Sequence, residues 1–212
     1  MRAPEEKVLI DGPSGKIELI IENPGAPRGI ALIGHPHPLF GGMNTNKVAH
    51  SLARTFVALG YCAFRPNFRG VGLSEGTHDE GRGETEDMLA VLEEARRRCG
   101  NLPVALAGFS FGGFVQTRVA KRLTEAGHPA QRLVLVGTAA GFVEGTRSYD
   151  TEAVPNDTIV IHGSADETVP LANVLKWAEP LELPVSVVPG ADHFFHRRLH
   201  VIREIITRSW RH

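Results

Sequence analysis

The chain has 212 residues, of which 42% are hydrophobic and 22% charged, with a formal net charge of −1. This suits a single globular domain over 1–212, and gives no electrostatic footprint for nucleic acid or an anionic membrane. No apolar run reaches membrane-spanning length, and two cysteines without a secretory signal point to reduced thiols and a cytoplasmic location.

Lys7 to Asp11 and Lys16 to Glu22 are β-rich runs around Gly12-Pro13-Ser14-Gly15 and predict an antiparallel hairpin. The Gly12…Gly15-Lys16 stretch is not a phosphate loop, because its spacing is wrong and a strand follows it. Gly29 to Gly34 is continuously apolar, as expected for a strand buried on both faces. His35 to Gly42 reads HPHPLFGG, too rich in Pro and Gly for regular structure. Asn46 to Leu59 carries Val48, Leu52, Phe56 and Leu59 at helical spacing, and Gly60 ends it. Tyr61 to Arg65 predicts a strand stopped by Pro66, and a loop follows through Ser74. Glu84 to Cys99 predicts a helix, Pro103 to Gly108 a strand, Phe111 to Ala126 a helix and Arg132 to Val136 a strand. Thr138 to Asp157 reads as irregular, with room for one short helix. Strand, helix and strand follow at Thr158–Ile161, Leu171–Glu179 and Pro184–Val188, and Phe194 to Trp210 closes the chain as a helix. Strands thus alternate with helices after the hairpin. The expected fold is α/β: a mainly parallel sheet of about eight strands with helices on both faces.

Within this pattern Gly108-Phe109-Ser110-Phe111-Gly112 is a G-x-S-x-G placed directly between a strand and a helix. A serine on so sharp a turn needs a strained backbone, and side chains at Gly108 and Gly112 would obstruct the close approach of helix and strand. The turn exposes the Ser110 hydroxyl at the carboxyl end of the sheet, with the Phe111 amide opening the helix where an oxyanion could sit. A second match, Gly72-Leu73-Ser74-Glu75-Gly76, lacks both flanks, so Ser74 reads as a loop residue.

A serine hydroxyl needs a base, and histidine is suited to the task near neutral pH. Of ten histidines, His193 stands out because Pro189-Gly190-Ala191-Asp192-His193 follows a strand at the end where such sheets bind ligands. His196 and His200 read as surface residues. The base needs an acid to hold its tautomer. Asp166, in His162-Gly163-Ser164-Ala165-Asp166 beyond the preceding strand, is the candidate, and Asp192 is its rival. The order is Ser110, Asp166, His193.

On these residues the chain resembles the α/β-hydrolases over nearly its whole length. It is most similar to the small lidless serine hydrolases with an HPHP loop at 35–38, an NFRGVG loop at 67–72, HGSADETVP at 162–170 and GADHFF at 190–195. The resemblance implies a single domain with no cap, since Thr138 to Asp157 is too short for one. It also implies hydrolysis of carboxylic esters or thioesters on a small-molecule acyl substrate, without cofactor or metal. Dienelactone hydrolases are related in size but use a cysteine. The pattern further implies a second oxyanion amide from the loop after the third strand. Pro36 and Pro38 have no N–H to give, which leaves Leu39 as the first choice by analogy and His37 as the second. Other readings are an amidase or peptidase of the same fold, a ligand-binding homologue without turnover, and a metal-dependent hydrolase built on His35-x-His37.

Overall fold

A computed structural model describes residues 4–143 and 147–210. The hairpin forms as β1 (Glu5–Gly12) and β2 (Gly15–Glu22), antiparallel from Glu5↔Glu22 to Gly12↔Gly15. The strands β3 (Gly29–Gly34), β4 (Tyr61–Pro66), β5 (Val104–Phe109) and β6 (Arg132–Val136) follow. Two short strands, β7 (Gly141–Phe142) and β8 (Ser148–Tyr149), precede β9 (Ile159–Gly163) and β10 (Val185–Val188). The main sheet has eight strands in the order β1-β2-β4-β3-β5-β6-β9-β10. It is parallel from β4 to β10, with β2 antiparallel to β4.

The helices are α1 (Lys47–Ala58), α2 (Arg82–Cys99), α3 (Phe111–Glu125), α4 (Leu171–Ala178) and α5 (Leu199–Ser209). Side chains alternate across the central strands as the pleat requires. Ile30, Leu32 and Leu106 pack with Met88 and Val91 of α2 and Val115 and Val119 of α3. Ala31, Ile33, Ala105 and Ala107 pack on the other face with Leu52 and Phe56 of α1 and Ile202 and Ile206 of α5. Both faces of these strands are covered, which is why their sequences are unbroken apolar runs. Because β4, β3, β5, β6, β9 and β10 all point the same way, the loops after β3, β5, β9 and β10 meet at one edge.

Two boundaries differ from the sequence reading. The final helix begins at Leu199 rather than Phe194, because Phe195 and Arg197 take left-handed backbone conformations (φ 52° and 60°) that no helix accommodates. Phe195 is fully buried there, and that burial outweighs local helical spacing. The stretch after β6 holds no helix among its described residues. Its β7 and β8 pair as a small antiparallel ribbon, Gly141↔Tyr149 and Phe142↔Ser148; 144–146 lie outside the described residues. No helix among the described residues is long and apolar enough to cross a membrane.

Candidate active site

Ser110 follows β5 and caps α3 with φ 55° and ψ −121°, a region a non-glycine residue occupies only when its surroundings enforce it. The enforcement is backbone contact. A Cβ on Gly112 would fall within 3.0 Å of the backbone of Gly34 and His35, and one on Gly108 within 3.0 Å of the backbone of Gly112 and Gly113. The elbow and the end of β3 therefore touch main chain to main chain. The Ser110 amide is tied to Val136 O at 2.9 Å, and its carbonyl accepts from Gly113 and Phe114.

His193, on the loop after β10, places Nε2 at 3.0 Å from Ser110 Oγ and Nδ1 at 2.7 Å from Asp166 Oδ2. The other carboxylate oxygen, Oδ1, accepts the amides of Thr168 and Val169 at 3.0 and 2.8 Å. Asp166 is buried and thus doubly anchored to the turn before α4, with one oxygen left for the imidazole. An acceptor at Nδ1 makes that nitrogen the proton carrier and leaves Nε2 free to accept from the serine hydroxyl.

His162 is a participant that the sequence reading did not single out. Its Nε2 lies 2.9 Å from Val169 O and 3.4 Å from Asp166 Oδ2, and its Nδ1 is buried without a partner among the described residues. Burial pushes its pKa below the ordinary histidine value, so it is a neutral prop under the Asp166 turn. A polar residue at the end of an apolar strand, four before the aspartate, was the signal in the sequence.

The HPHP loop is built by its own imidazoles. His35 is fully buried; Nε2 accepts the Phe68 amide at 2.9 Å, and Nδ1 is 2.6 Å from Pro36 O. Accepting at Nε2 requires the proton on Nδ1, which then donates to Pro36 O. Burial drives the His35 pKa down to about 3, so this tautomer persists at neutral pH. His37 is held neutral too, its pKa lowered to about 4 by burial first and then by His78 and Arg147. Its Nδ1 accepts the Leu39 amide at 3.2 Å, capping the short turn Pro38–Phe40. Leu39, expected as the second oxyanion donor, thus has its N–H committed to a neighbouring ring, and its side chain is 69% exposed. The His37 amide donates to no acceptor among the described residues, and neither does that of Phe111. The His37 and Phe111 rings lie 4.9 Å apart, so the two amides belong to adjoining segments. Both ring nitrogens of His35 are taken by backbone groups, as is Nδ1 of His37, so His35 has no nitrogen left for the ligand pair that a metal centre on this loop would need.

The rivals are accounted for. Ser74 is buried in the loop after β4, where its Oγ donates to Asn67 O at 2.8 Å and accepts the Glu18 amide at 2.9 Å. Asp192 turns away from His193. Its carboxylate takes the His196 ring and amide at 2.5 and 3.0 Å, and the ring contact lowers its pKa. The Glu5, Glu22 and His50 side chains converge on the hairpin side, but Arg65 donates to Glu22 there at 3.0 Å.

Two depressions flank the reaction centre. One, of about 520 Å³, reaches it at His37 and Phe111 and extends along α3 to Arg118. The other, of about 820 Å³, lies between Met43, Val48 and Phe194, beside His193.

Residues 36–179 match the family model for the alpha/beta hydrolase fold. The structure is similar to an alpha-beta serine hydrolase homologue from Coxiella burnetii (38% identity, TM-score 0.84, 97% of each chain). It is likewise similar to XC6422 from Xanthomonas campestris, a serine hydrolase without a lid (33% identity, TM-score 0.84, 99% of this chain and 94% of that one). In sequence it is 33% identical over 123 residues to the lysophosphatidylserine lipase ABHD12 of Gallus gallus, covering 55% of this chain and 32% of the lipase. The chain thus spans about a third of that relative's length.

Proposed function

Because the chain belongs to the alpha/beta hydrolase fold family, we propose that it is a serine hydrolase that cleaves carboxylic esters or thioesters through an acyl-enzyme on Ser110. The observation that carries this reading is the continuous chain of contacts from Ser110 Oγ through His193 to the anchored Asp166 carboxylate. In the mechanism, His193 Nε2 takes the hydroxyl proton as Ser110 Oγ bonds to the carbonyl carbon. The negative charge on the carbonyl oxygen is met by the Phe111 amide and, in preference to Leu39, by the His37 amide, because that N–H is not already spent. The imidazolium gives its proton to the leaving oxygen or sulfur as that bond breaks. Water then attacks the acyl-enzyme, His193 removes its proton, and the serine regains its hydrogen as the carboxylic acid departs. Asp166 holds the tautomer and stabilises the imidazolium throughout.

Similarity to a lipase supports esters over amides. A small-molecule acyl substrate suits a site without a cap domain, and no residue role here calls for a cofactor or metal. The test is a fluorophosphonate probe with peptide mass spectrometry, alongside a panel of p-nitrophenyl esters, acyl-CoA thioesters and anilides. A single adduct on Ser110 with ester or thioester turnover insensitive to chelators is expected. An adduct elsewhere, or anilides turned over faster than esters, would overturn the reading.

A further inference from the structure

The depression along α3 is chemically unlike the rest of the site. Phe111, Phe114 and Tyr149 give it aromatic walls, and Arg118 and Arg147 line it as well. Arg147 is already engaged: it sits 4.2 Å over the Phe40 ring and hydrogen-bonds Tyr149. Arg82, at the rim, is paired with Asp79 and Glu80. Arg118 differs from both. It has no carboxylate partner among the described residues, its Nε is buried without an acceptor, and its guanidinium lies 5.7 Å over Phe114. Arg118 is only partly buried, and its guanidinium lines the depression with no carboxylate to offset its charge, so an anion held there would find a charge-assisted partner.

We propose that this depression is an acyl-side subsite for an anion, so that the substrate is an ester or thioester whose acyl chain ends in a carboxylate or phosphate recognised by Arg118. The inference rests on the hydrolase reading above. The acyl side follows from proton transfer. The leaving atom must lie against His193, whose neighbour Phe194 lines the other depression. The α3 depression meets the reaction centre at the oxyanion amides instead. Its depth sets the chain length. Arg118 is eight residues past Ser110 on α3, about 12 Å along the axis, and helical side chains lean back toward the N-terminus. An acyl chain of roughly six to ten carbons bridges what remains. Asp150 and Glu80 also border the depression, both exposed to solvent, so the discrimination is local to Arg118 rather than a property of net charge.

The test compares mono-p-nitrophenyl esters of adipic, suberic and sebacic acids with the same chains methyl-esterified at the far end. The charged member should be preferred at least tenfold in kcat/KM for one length, with the preference shrinking as salt is added. Arg118→Gln should cut that ratio about tenfold, and Arg118→Lys should restore part of it, with circular dichroism confirming the fold of each. A ratio near one at every length, or a ratio that survives Arg118→Gln, overturns the subsite. A preference seen only when the anion is carried on the leaving group overturns the acyl-side assignment. Calorimetric titration with suberate reads the subsite apart from turnover. Binding lost in Arg118→Gln supports it even if no ester is cleaved and Ser110 is not labelled, an outcome that would sink the hydrolase reading alone.

Discussion

Asp166→Asn isolates the role of the acid, because the site dictates which way an asparagine must face. Asp166 Oδ1 receives two backbone amides, from Thr168 and Val169, and Oδ2 receives His193 Nδ1. An amide side chain has one acceptor oxygen to cover both tasks. Facing its oxygen to the backbone keeps two hydrogen bonds and turns the NH2 toward His193 Nδ1, which must then give up its proton. The proton moves to Nε2, and the base can no longer accept from Ser110. The opposite orientation restores the tautomer but sets NH2 against two buried N–H groups. At about 1–3 kcal/mol for each donor left unmet, the productive orientation is disfavoured by roughly 2–6 kcal/mol. That corresponds to a population loss of about 30-fold to 10⁴-fold, at 1.4 kcal/mol per tenfold. The upper end matches the ~10⁴ loss in kcat that a wrong tautomer produces in another serine hydrolase. The assay is p-nitrophenyl acetate hydrolysis, with nitrogen NMR of His193 reporting the tautomer directly. Asp192→Asn is the control and should stay within about threefold of wild type. Activity of Asp166→Asn within tenfold of wild type, or severe damage from Asp192→Asn instead, would refute the assignment.

Ser110→Ala should lose several orders of magnitude in kcat, since such residues act as a unit. Ser74→Ala should keep its activity but lose about 1–3 kcal/mol in urea unfolding, because it orphans the Glu18 amide. His37→Pro deletes the proposed oxyanion N–H at a φ of −56° that proline accepts, and should cost about 10²–10³ in kcat. Leu39→Pro and His37→Ala should cost much less, and the reverse ranking would return the donor to Leu39. Stability should fall with pH below about 6.5, because the unfolded chain protonates His35 there while the folded chain resists until about pH 3. The slope from that residue approaches 1.4 kcal/mol per pH unit, and urea unfolding of His35→Gln between pH 7.5 and 4.5 should be flatter by that amount. Equal slopes would show that His35 is not the buried neutral group described.

The parallel sheet, the hairpin and the meeting of Ser110, Asp166 and His193 were legible because each has a local signature: apolar runs, turn residues, and polar side chains placed just after strands. Ser110 was separated from Ser74 by its flanks alone, and the structure shows why that sufficed, since only Ser110 sits between β5 and α3. What escaped was decided by tertiary contact. The Phe195 side chain sinks into the core and pulls 194–198 out of the helix that the spacing predicts. A ribbon of two residues a side, β7 with β8, is too short to show alternation. The use of the Leu39 amide depended on a neutral His37 ring able to accept at Nδ1, and burial keeps that ring neutral. Arg118 gives no sign in sequence, since its lack of a carboxylate partner among the described residues is a fact about space.

The stacking of Gly34, Gly108 and Gly112 makes the nucleophile and the loop facing it one rigid casting. Main chain meeting main chain has no rotamers to explore and no side chain to exchange. Tolerance in this protein should therefore be sharply divided. Rim positions such as Leu39, Phe40 and Phe194 can be rewritten to change what enters. The three glycines form a hinge-free joint at which a single methyl group would part the serine from the loop beside it.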